Sequence, residues 1–392
     1  MRRTVVYKIL SLTFAFVLCV FAVFPTRKDL KVFSPSVTAS TVTRLDYRLE
    51  MPTIYAESAV VMDAKSKSLL FAKGERISRG MASTTKIMTA LVAIENCHPD
   101  VEFQIPAQAV GVEGSSVYLS KDEPLTLREL LYCLLLESGN DAATAIAVCV
   151  GGSLEGFVDL MNRRAEEMGL TQTHFANPHG LNDSQHYTTA EELALITAEA
   201  MDYPLFREIV ATKTFNVRRN GKENGRTLYN HNKLLGNFEG AVGVKTGYTI
   251  KDGKCLVSAA ERDGLLLIAV SLKDSSPIAH HKIMLENAFD KFENRKLANQ
   301  GDITTSLPVI DGEKDFVSLT NEENIEVCLP KGSDFEIVLD IPENLNAPII
   351  EGEIYGKARA LHKGKEVYII DLTATETIKI KEKSFWEKLF GE

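Results

Sequence analysis

The sequence predicts an α+β domain, made of an antiparallel sheet and a block of helices, followed by a smaller all-β domain. Strand-like apolar patterns occur near residue 60 and again between residues 240 and 272, with helical patterns between them. Short alternating runs then recur from residue 309 to 380. Strands at both ends of a helical block place the two ends of the first domain on one sheet.

The first domain is predicted to cover residues 45–297 and to open with a β-hairpin. Residues 55–73 carry two apolar runs on either side of a polar Lys-Ser-Lys-Ser stretch, which is typical of strand, turn and strand. From Ser83 onward, apolar residues recur at helical spacing up to Ile94, so a helix is expected to begin near this serine.

Helices are predicted to fill the middle of this domain. A very apolar run that ends at Leu136 predicts a central helix, and helical spacing recurs over residues 155–168 and 189–201. Two of these helices open with the signature of a capping box, Thr126 with Glu129 and Thr189 with Glu192.

Strands return after the helices, over residues 240–246, 253–261 and 265–272. The last two flank Arg262-Asp263-Gly264, a hairpin turn signal, which predicts that they pair antiparallel. A helix over residues 277–294 is expected to close the domain.

The all-β domain is predicted over residues 303–380, and no residue in it has catalytic spacing. A short amphipathic tail follows over residues 381–392. Its apolar side chains share one helical face, which suits a membrane interface: Phe385, Trp386, Leu389 and Phe390. The alternative is a frayed C-terminal end that happens to be hydrophobic.

The first 40 residues predict export. Arg2, Arg3 and Lys8 precede an uncharged apolar run over residues 9–24, the layout of a signal peptide. At about 1.5 Å per residue the run spans roughly 24 Å, less than the roughly 30 Å of a membrane's hydrocarbon core, which favours a signal peptide over a permanent span. An uncleaved N-terminal anchor is the alternative, because the small residues around Ala39 lie far from the run. The protein is therefore expected at the extracytoplasmic face of the cell membrane or in the cell wall.

Composition argues against several other classes of function. A net charge of -9 does not supply the basic face that a nucleic-acid partner needs. The eight histidines show no metal-ligand spacing, so neither a metal nor another cofactor is expected. The cysteines beyond the export segment form an odd set without paired spacing, which does not indicate disulfides: Cys97, Cys133, Cys149, Cys255 and Cys328.

Three short strings carry the chemistry, and each occurs once: Ser83-Thr84-Thr85-Lys86, Ser138-Gly139-Asn140 and Lys245-Thr246-Gly247. At average residue frequencies, a chain of this length contains roughly one or two chance matches to Ser-x-x-Lys, about one to Ser-x-Asn and roughly a tenth of one to Lys-Thr-Gly. The ordered triple is therefore far more specific than any one string.

The first string predicts a nucleophile with its base. A serine hydroxyl needs a base to attack, and Lys86 lies one helical turn beyond Ser83 on the same face. Lysine can serve only if its pKa falls from about 10.4 toward neutrality. Burial and a second cation have this effect, and Lys245 would be that cation. Taken alone, the string could equally be a helix N-cap serine and a solvated lysine.

The second string predicts a polar relay. Ser138 would pass a proton between Lys86 and the leaving amine, while the Asn140 amide would hold an amide of the substrate. The alternative is a helix C-cap in which Gly139 or Asn140 is left-handed.

The third string predicts an anion-binding site. Lys245 and Thr246 together suit a substrate carboxylate, and Gly247 leaves room for a ligand backbone to approach the strand. The alternative is an exposed strand end.

These residues, in this order, resemble the penicillin-recognising serine D,D-peptidases. The resemblance covers about residues 50–295. Further stretches look like the low-molecular-weight D-alanyl-D-alanine carboxypeptidases, namely Glu113-Gly114-Ser115-Ser116 and residues 138–143, 157–169, 173–181, 230–235 and 243–249. The β domain and the tail also fit that family. One departure is Lys251-Asp252-Gly253, where such enzymes more often carry Ala-Gly; it lies outside the three strings and leaves the assignment intact.

The resemblance implies a β-lactamase/D,D-peptidase-like fold and an acyl-enzyme mechanism. Ser83, with Lys86 as base, would attack the terminal D-Ala-D-Ala bond of a peptidoglycan stem peptide, release D-alanine and leave an acyl-enzyme for water to hydrolyse. The backbone N–H groups of Ser83 and Tyr248 would form the oxyanion hole, where losing one donor costs about 3 to 4 kcal/mol. Lys245 and Thr246 would hold the terminal carboxylate. A β-lactam would acylate Ser83 in the same way.

Three other functions compete with this interpretation. A class A β-lactamase adds a Glu-x-x-Leu-Asn element, but Pro178 stands here at the glutamate position before Leu181-Asn182, which disfavours it. A D,D-endopeptidase that cuts cross-links is an alternative that the sequence leaves open. An inactive wall-binding protein of the same fold is disfavoured by the intact set: Ser83, Lys86, Ser138, Asn140 and Lys245.

Overall fold

The structure places strands at both ends of the first domain and helices between them. It is a computed structural model that describes residues 41–219 and 222–382. The predicted export segment, residues 1–40, and residues 383–392 of the predicted tail lie outside this range. The helices are α1 (Lys86–Asn96), α2 (Leu127–Leu135), α3 (Asn140–Gly151), α4 (Leu154–Glu167), α5 (Ala190–Met201), α6 (Pro204–Ala211) and α7 (Pro277–Lys291).

The strands of the first domain are β2 (Ser58–Asp63), β3 (Leu69–Lys73), β4 (Glu102–Gln104), β5 (Pro124–Thr126), β6 (Thr214–Arg219), β7 (Lys222–Tyr229), β8 (Ala241–Thr249), β9 (Gly253–Arg262) and β10 (Leu265–Leu272). Those that follow are β11 (Phe292–Ala298), β12 (Thr304–Ile310), β13 (Phe316–Thr320), β14 (Ile325–Pro330), β15 (Glu336–Asp340), β16 (Leu345–Asn346), β17 (Ile354–His362) and β18 (Lys365–Ala374), while β1 (Thr41–Val42) precedes them all.

A five-stranded antiparallel sheet supports the first domain, in the order β3-β2-β10-β9-β8. Side chains alternate across it. Val60 and Met62 on β2 face the core shared with the helical block, whereas Ala59 and Val61 face α7 on the other side. The predicted hairpins β2-β3 and β9-β10 are confirmed. In this sheet β8 is an edge strand, and its free edge faces the helical block.

Most of the predicted helices are confirmed, but the structure has an additional turn and helix after α2. Both halves of the Thr126–Glu129 capping box form at the start of α2. At the other end of α2, the alternative of a C-cap with Gly139 or Asn140 left-handed is wrong, because the left-handed residue is Ser138, with φ of 62°. Asn140 then opens α3, a helix that the sequence analysis did not predict.

The second predicted capping box forms only in half. The Thr189 side chain accepts a hydrogen bond from the Glu192 N–H at the start of α5. The Glu192 carboxylate instead accepts hydrogen bonds from Gln172 N at 3.0 Å and Thr173 Oγ1 at 2.5 Å. Glu192 thus ties a preceding loop to α5.

The C-terminal region is all-β. Six of its strands follow the order β15-β17-β18-β13-β12-β16, and β1 adds to β18 from the beginning of the described chain. Helix α7 ends at Lys291, three residues before its predicted end, because Phe292 begins β11, which pairs with β14. Within the described residues no single helix is long and apolar enough to cross a membrane; α3 and α4 pass that test only as a pair bent by 85°.

Candidate active site

Ser83 lies in a 3-10 turn, Ala82–Thr85, that leads directly into α1. Lys86 is the first residue of α1, and its Nζ lies 3.0 Å from Ser83 Oγ. Ser83 caps neither the turn nor the helix with its side chain. The structure therefore brings the two predicted residues into contact and excludes the alternative of an N-cap serine beside a solvated lysine.

Lys86 is completely buried, with two further polar partners. Its Nζ donates to Asn140 Oδ1 at 2.8 Å and to the His179 carbonyl at 2.6 Å. The Asn140 amide is held in this orientation because its Nδ2 donates to the Glu113 carbonyl at 2.6 Å. Both of these partners of Lys86 are therefore oxygens that accept and cannot donate.

Burial lowers the pKa of Lys86 well below its usual value, and the nearby charge of Lys245 lowers it further, while Asp141 opposes the shift. A neutral lysine amine has two N–H donors and one lone pair. With the donors directed at Asn140 Oδ1 and the His179 carbonyl, the lone pair is left for the Ser83 hydroxyl. This arrangement can remove a proton from Ser83.

Lys245 is buried on β8, with 1% of its surface exposed, so the alternative of an exposed strand end is wrong. Its Nζ donates to the Thr246 carbonyl at 3.0 Å. Burial lowers the pKa of Lys245 to about 7, although the charge of Glu137 opposes the shift. The charged form of Lys245 in turn lowers the pKa of Lys86.

Strand β8 passes very close to the nucleophile. A Cβ added at Gly247 would lie 3.0 Å from Ser83 N and 3.1 Å from Thr84 N, so glycine permits this approach. Thr246 and Tyr248 line the groove on either side of Gly247, and the Tyr248 side chain is exposed. The third string thus lies beside the first.

Ser138 reaches the site from the groove. It is buried except for a small fraction, and it lines the same cavity as Ser83. In the described part of the chain, the hydrogen bonds of Lys86 go to Ser83, Asn140 and His179. Within the second string, Asn140 thus contacts Lys86 directly, whereas Ser138 shares the cavity with Ser83.

A groove of about 840 Å³ runs from Ser83 across β8 and β9 to the start of α7. Basic side chains line it along its length: His231, Lys233, Lys254 and Lys282. In a protein with a net charge of -9, a groove lined in this way favours an anionic ligand.

Comparison with known proteins agrees with this geometry. Residues 46–276 match the family model described as D-alanyl-D-alanine carboxypeptidase, and residues 292–380 match the C-terminal domain of penicillin-binding protein 5. The chain belongs to the D-alanyl-D-alanine carboxypeptidase family. Its catalytic domain is therefore of the expected α+β D,D-peptidase type, followed by the all-β domain of that family.

Relatives of this carboxypeptidase match it along most of its length. D-alanyl-D-alanine carboxypeptidase DacF of Bacillus subtilis is 31% identical over 335 residues, which cover 83% of this chain and 86% of that one. Penicillin-binding protein 5 of Haemophilus influenzae superimposes with a TM-score of 0.73 at 28% identity, covering 84% of this chain and 99% of that one. The Streptomyces K15 DD-transpeptidase covers 62% of this chain and 100% of its own, with a TM-score of 0.59 at 32% identity.

Three residues that contact the nucleophile turn or Lys86 were not predicted from the sequence to belong to the site. The His179 carbonyl holds Lys86, and His186 and Asp252 contact the turn that carries Ser83. The sequence offered a signal for His179, since Asn-Pro-His-Gly is a turn signature in which Gly180 has φ of 91°. The role of the His179 carbonyl as an acceptor could not be predicted, however, because every residue has a backbone carbonyl whatever its side chain.

Proposed function

We propose that this carboxypeptidase removes the terminal D-alanine from peptidoglycan stem pentapeptides through an acyl-enzyme on Ser83. The observation that supports this most directly is the environment of Lys86. Its buried amine donates to two fixed acceptors and lies 3.0 Å from Ser83 Oγ, which leaves the lone pair for the serine proton.

Acylation begins when Lys86 Nζ takes the Ser83 hydroxyl proton and Ser83 Oγ attacks the carbonyl carbon of the scissile bond. Negative charge develops on the carbonyl oxygen, where the N–H groups of Ser83 and Tyr248 stabilise it. The C–N bond then breaks as Ser138 passes a proton from Lys86 to the leaving amine. D-alanine departs and an ester on Ser83 remains.

Deacylation repeats these steps with water. Lys86 takes a proton from the water as its oxygen attacks the ester carbonyl. The Ser83 oxygen leaves and regains its proton from Lys86, which restores the resting state. A β-lactam acylates Ser83 by the same route, because its strained amide replaces the peptide bond.

Lys245 and Thr246 hold the terminal carboxylate of the substrate. A charged lysine and a hydroxyl next to the scissile bond restrict cleavage to the end of a peptide. Asn140 has a second Nδ2 hydrogen beyond the one given to Glu113, and we assign this hydrogen to a substrate amide.

The site acts outside the cytoplasm in this proposal. A basic residue cluster and an apolar run open the sequence, and the amphipathic tail after residue 381 would contact the membrane surface. We assign residues 45–297 to catalysis and residues 303–380 to a β domain that separates the catalytic domain from that surface.

Two measurements test the proposal. Fluorescent penicillin should label the wild-type protein in a one-to-one ratio and should not label Ser83→Ala, while Ser275→Ala, at an exposed groove serine, should label normally. D-alanine release should be seen from a pentapeptide stem. Label that survives Ser83→Ala would refute the nucleophile, and cleavage confined to a cross-linked tetrapeptide would favour the endopeptidase alternative.

A further inference from the structure

The residue before the nucleophile has an unusual backbone conformation. Ala82 has φ of 47°, in the left-handed region that a residue with a side chain seldom adopts. Such a conformation persists only where the surrounding structure holds it, and it is typical of functional sites. Because the peptide between Ala82 and Ser83 is planar and trans, the Ala82 carbonyl and the Ser83 N–H point in opposite directions. Whatever orients that carbonyl also orients one donor of the oxyanion hole.

The carbonyl of Ala82 is held from the helical side. Thr85 Oγ1 donates to it at 2.7 Å, and His186 Nε2 lies 2.7 Å from the same hydroxyl. Ala176 N donates to His186 Nδ1 at 3.1 Å, so the ring proton is on Nε2. His186 therefore donates to the Thr85 hydroxyl oxygen, and the Thr85 hydroxyl proton is donated to the Ala82 carbonyl oxygen.

The N–H of Ala82 is held from the opposite side. It donates to Asp252 Oδ2 at 3.2 Å, across 170 residues of sequence. Asp252 belongs to the turn between β8, which carries Lys245, and β9. This is the position where the sequence departs from the Ala-Gly usual in the family, and neither of those residues has a carboxylate.

The carboxylate of Asp252 fits closely against the nucleophile turn. A Cβ added at Gly80 would lie 2.0 Å from Asp252 Oδ1, so the two segments touch at a residue without a side chain. The turn itself is fixed, because Asp252 N donates to Thr249 Oγ1 at 2.9 Å. Thr249 Oγ1 in turn donates to Asn182 Oδ1 at 3.1 Å.

We propose that Asp252 is a positioning residue for acylation, which holds Ala82 in its left-handed conformation and so directs the Ser83 N–H at the oxyanion. It acts opposite the Thr85–His186 pair, and it couples the turn after the carboxylate-binding strand to the nucleophile. The proposal rests on the proposed role of Ser83 and adds to it a contact made by Asp252.

The test compares Asp252→Ala with Asp252→Asn and with Lys251→Ala, an exposed neighbour in the same turn, as the matched control. The measurements are the acylation rate by fluorescent penicillin, kcat and KM for D-alanine release, and the melting temperature. Asp252→Ala should acylate about 10- to 100-fold more slowly, with kcat lowered and KM nearly unchanged, because a misdirected N–H loses part of the effect of a whole oxyanion donor. Asp252→Asn keeps an acceptor oxygen and should stay within about 3-fold of wild type.

A second variant separates positioning from folding. In Ala82→Gly the left-handed conformation no longer meets a steric penalty, so adding Ala82→Gly to Asp252→Ala should recover part of the lost rate. An Asp252→Ala protein that acylates at the wild-type rate would overturn the proposal, as would an Asp252→Asn loss equal to that of Asp252→Ala. Either result, obtained with a wild-type enzyme that is labelled and releases D-alanine, leaves the proposed function intact.

Discussion

Asn140 Oδ1 lies 2.8 Å from Lys86 Nζ and has only one orientation available to it, because Asn140 Nδ2 donates to the Glu113 carbonyl. The loop that contains Glu113 therefore determines which end of the amide faces the lysine. A neutral acceptor at this place orients the Lys86 amine without adding a negative charge beside it. The identity of residue 140 should consequently control both the rate and the pH dependence of acylation.

Replacing Asn140 by aspartate should move the pH profile. A carboxylate beside Lys86 favours the ammonium form and raises its pKa, so the acid limb of kcat/KM should shift to higher pH. Asn140→Ala is the control, because it removes the acceptor without adding charge and should lower the rate by about 10- to 100-fold without that shift. Penicillin acylation measured from pH 5 to 10 distinguishes them, and an Asn140→Asp profile that coincides with wild type would contradict a base role for Lys86.

The alkaline limb should belong to Lys245. Its pKa of about 7 means that the ammonium group proposed to bind the substrate carboxylate loses its charge as the pH rises through that value, so kcat/KM should fall there. A bound substrate carboxylate stabilises the charge, and the alkaline limb of kcat should therefore lie at higher pH than that of kcat/KM. Lys245→Arg, which stays charged, should extend kcat/KM to higher pH. An unchanged alkaline limb in Lys245→Arg would assign it to another group.

Removing the Lys245 charge should also affect the nucleophile. Because that charge helps to lower the pKa of Lys86, Lys245→Ala should leave Lys86 more protonated at neutral pH. We expect slower acylation as well as a higher KM, and the acid limb should move to higher pH. The check is the single-turnover acylation rate at saturating penicillin. A change in KM alone would refute the coupling between the two lysines.

Gly180 should tolerate no side chain. A Cβ there would lie 2.0 Å from the Ala82 carbonyl oxygen, and its φ of 91° already disfavours a side chain. We expect Gly180→Ala to lower the free energy of unfolding by about 3 kcal/mol or more. Gly111→Ala is matched in conformation, with φ of 75°, but its Cβ would meet nothing within 4 Å, so about 1 to 2 kcal/mol is expected. Urea unfolding of both variants measures the difference, and equal losses would contradict the close packing over Ala82.

The buried ion pair Arg226–Glu123 should support the loop beside the site. Arg226 Nη2 lies 2.8 Å from Glu123 Oε2, and Arg226 Nε donates to the Val117 carbonyl at 2.8 Å. Arg226→Met removes this buried cation together with its hydrogen bonds to Glu123 and the Val117 carbonyl, and a loss of about 3 to 5 kcal/mol in unfolding free energy is expected. Adding Glu123→Gln should recover part of that loss in urea unfolding. No recovery in the double variant would mean that the Val117 contact dominates.

The sequence predicted those parts of the fold that depend on local patterns. The capping box of Thr126 formed because both of its hydrogen bonds lie within four residues. That of Thr189 formed only in half, because the Glu192 carboxylate found partners in a loop 20 residues away. Helix α3 was missed because it follows Gly139, which offers no side-chain cap, and because the turn before it uses Ser138 in a left-handed conformation.

The same distinction applies to the site. Ser83 and Lys86 could be paired from their spacing, because side chains three positions apart in a helix lie on the same face. The His179 carbonyl and the Asp252 carboxylate could not be placed in the site from the sequence. They reach Lys86 and Ala82, respectively, across long sequence separations that only tertiary packing closes. The departure at residue 252, which lies outside the three strings, is in contact with the residue before Ser83.

The position of β8 at the edge of the sheet has a consequence for recognition. Unpaired edge strands usually invite aggregation, because their backbone groups can bind any extended chain. Here that edge lies beside Ser83, and under the proposed function an extended stem peptide would add to it as a further strand and align its last amide bond with the hydroxyl. Backbone pairing depends little on side chains. The proposed enzyme would therefore select the end of a peptide rather than the residues that precede it.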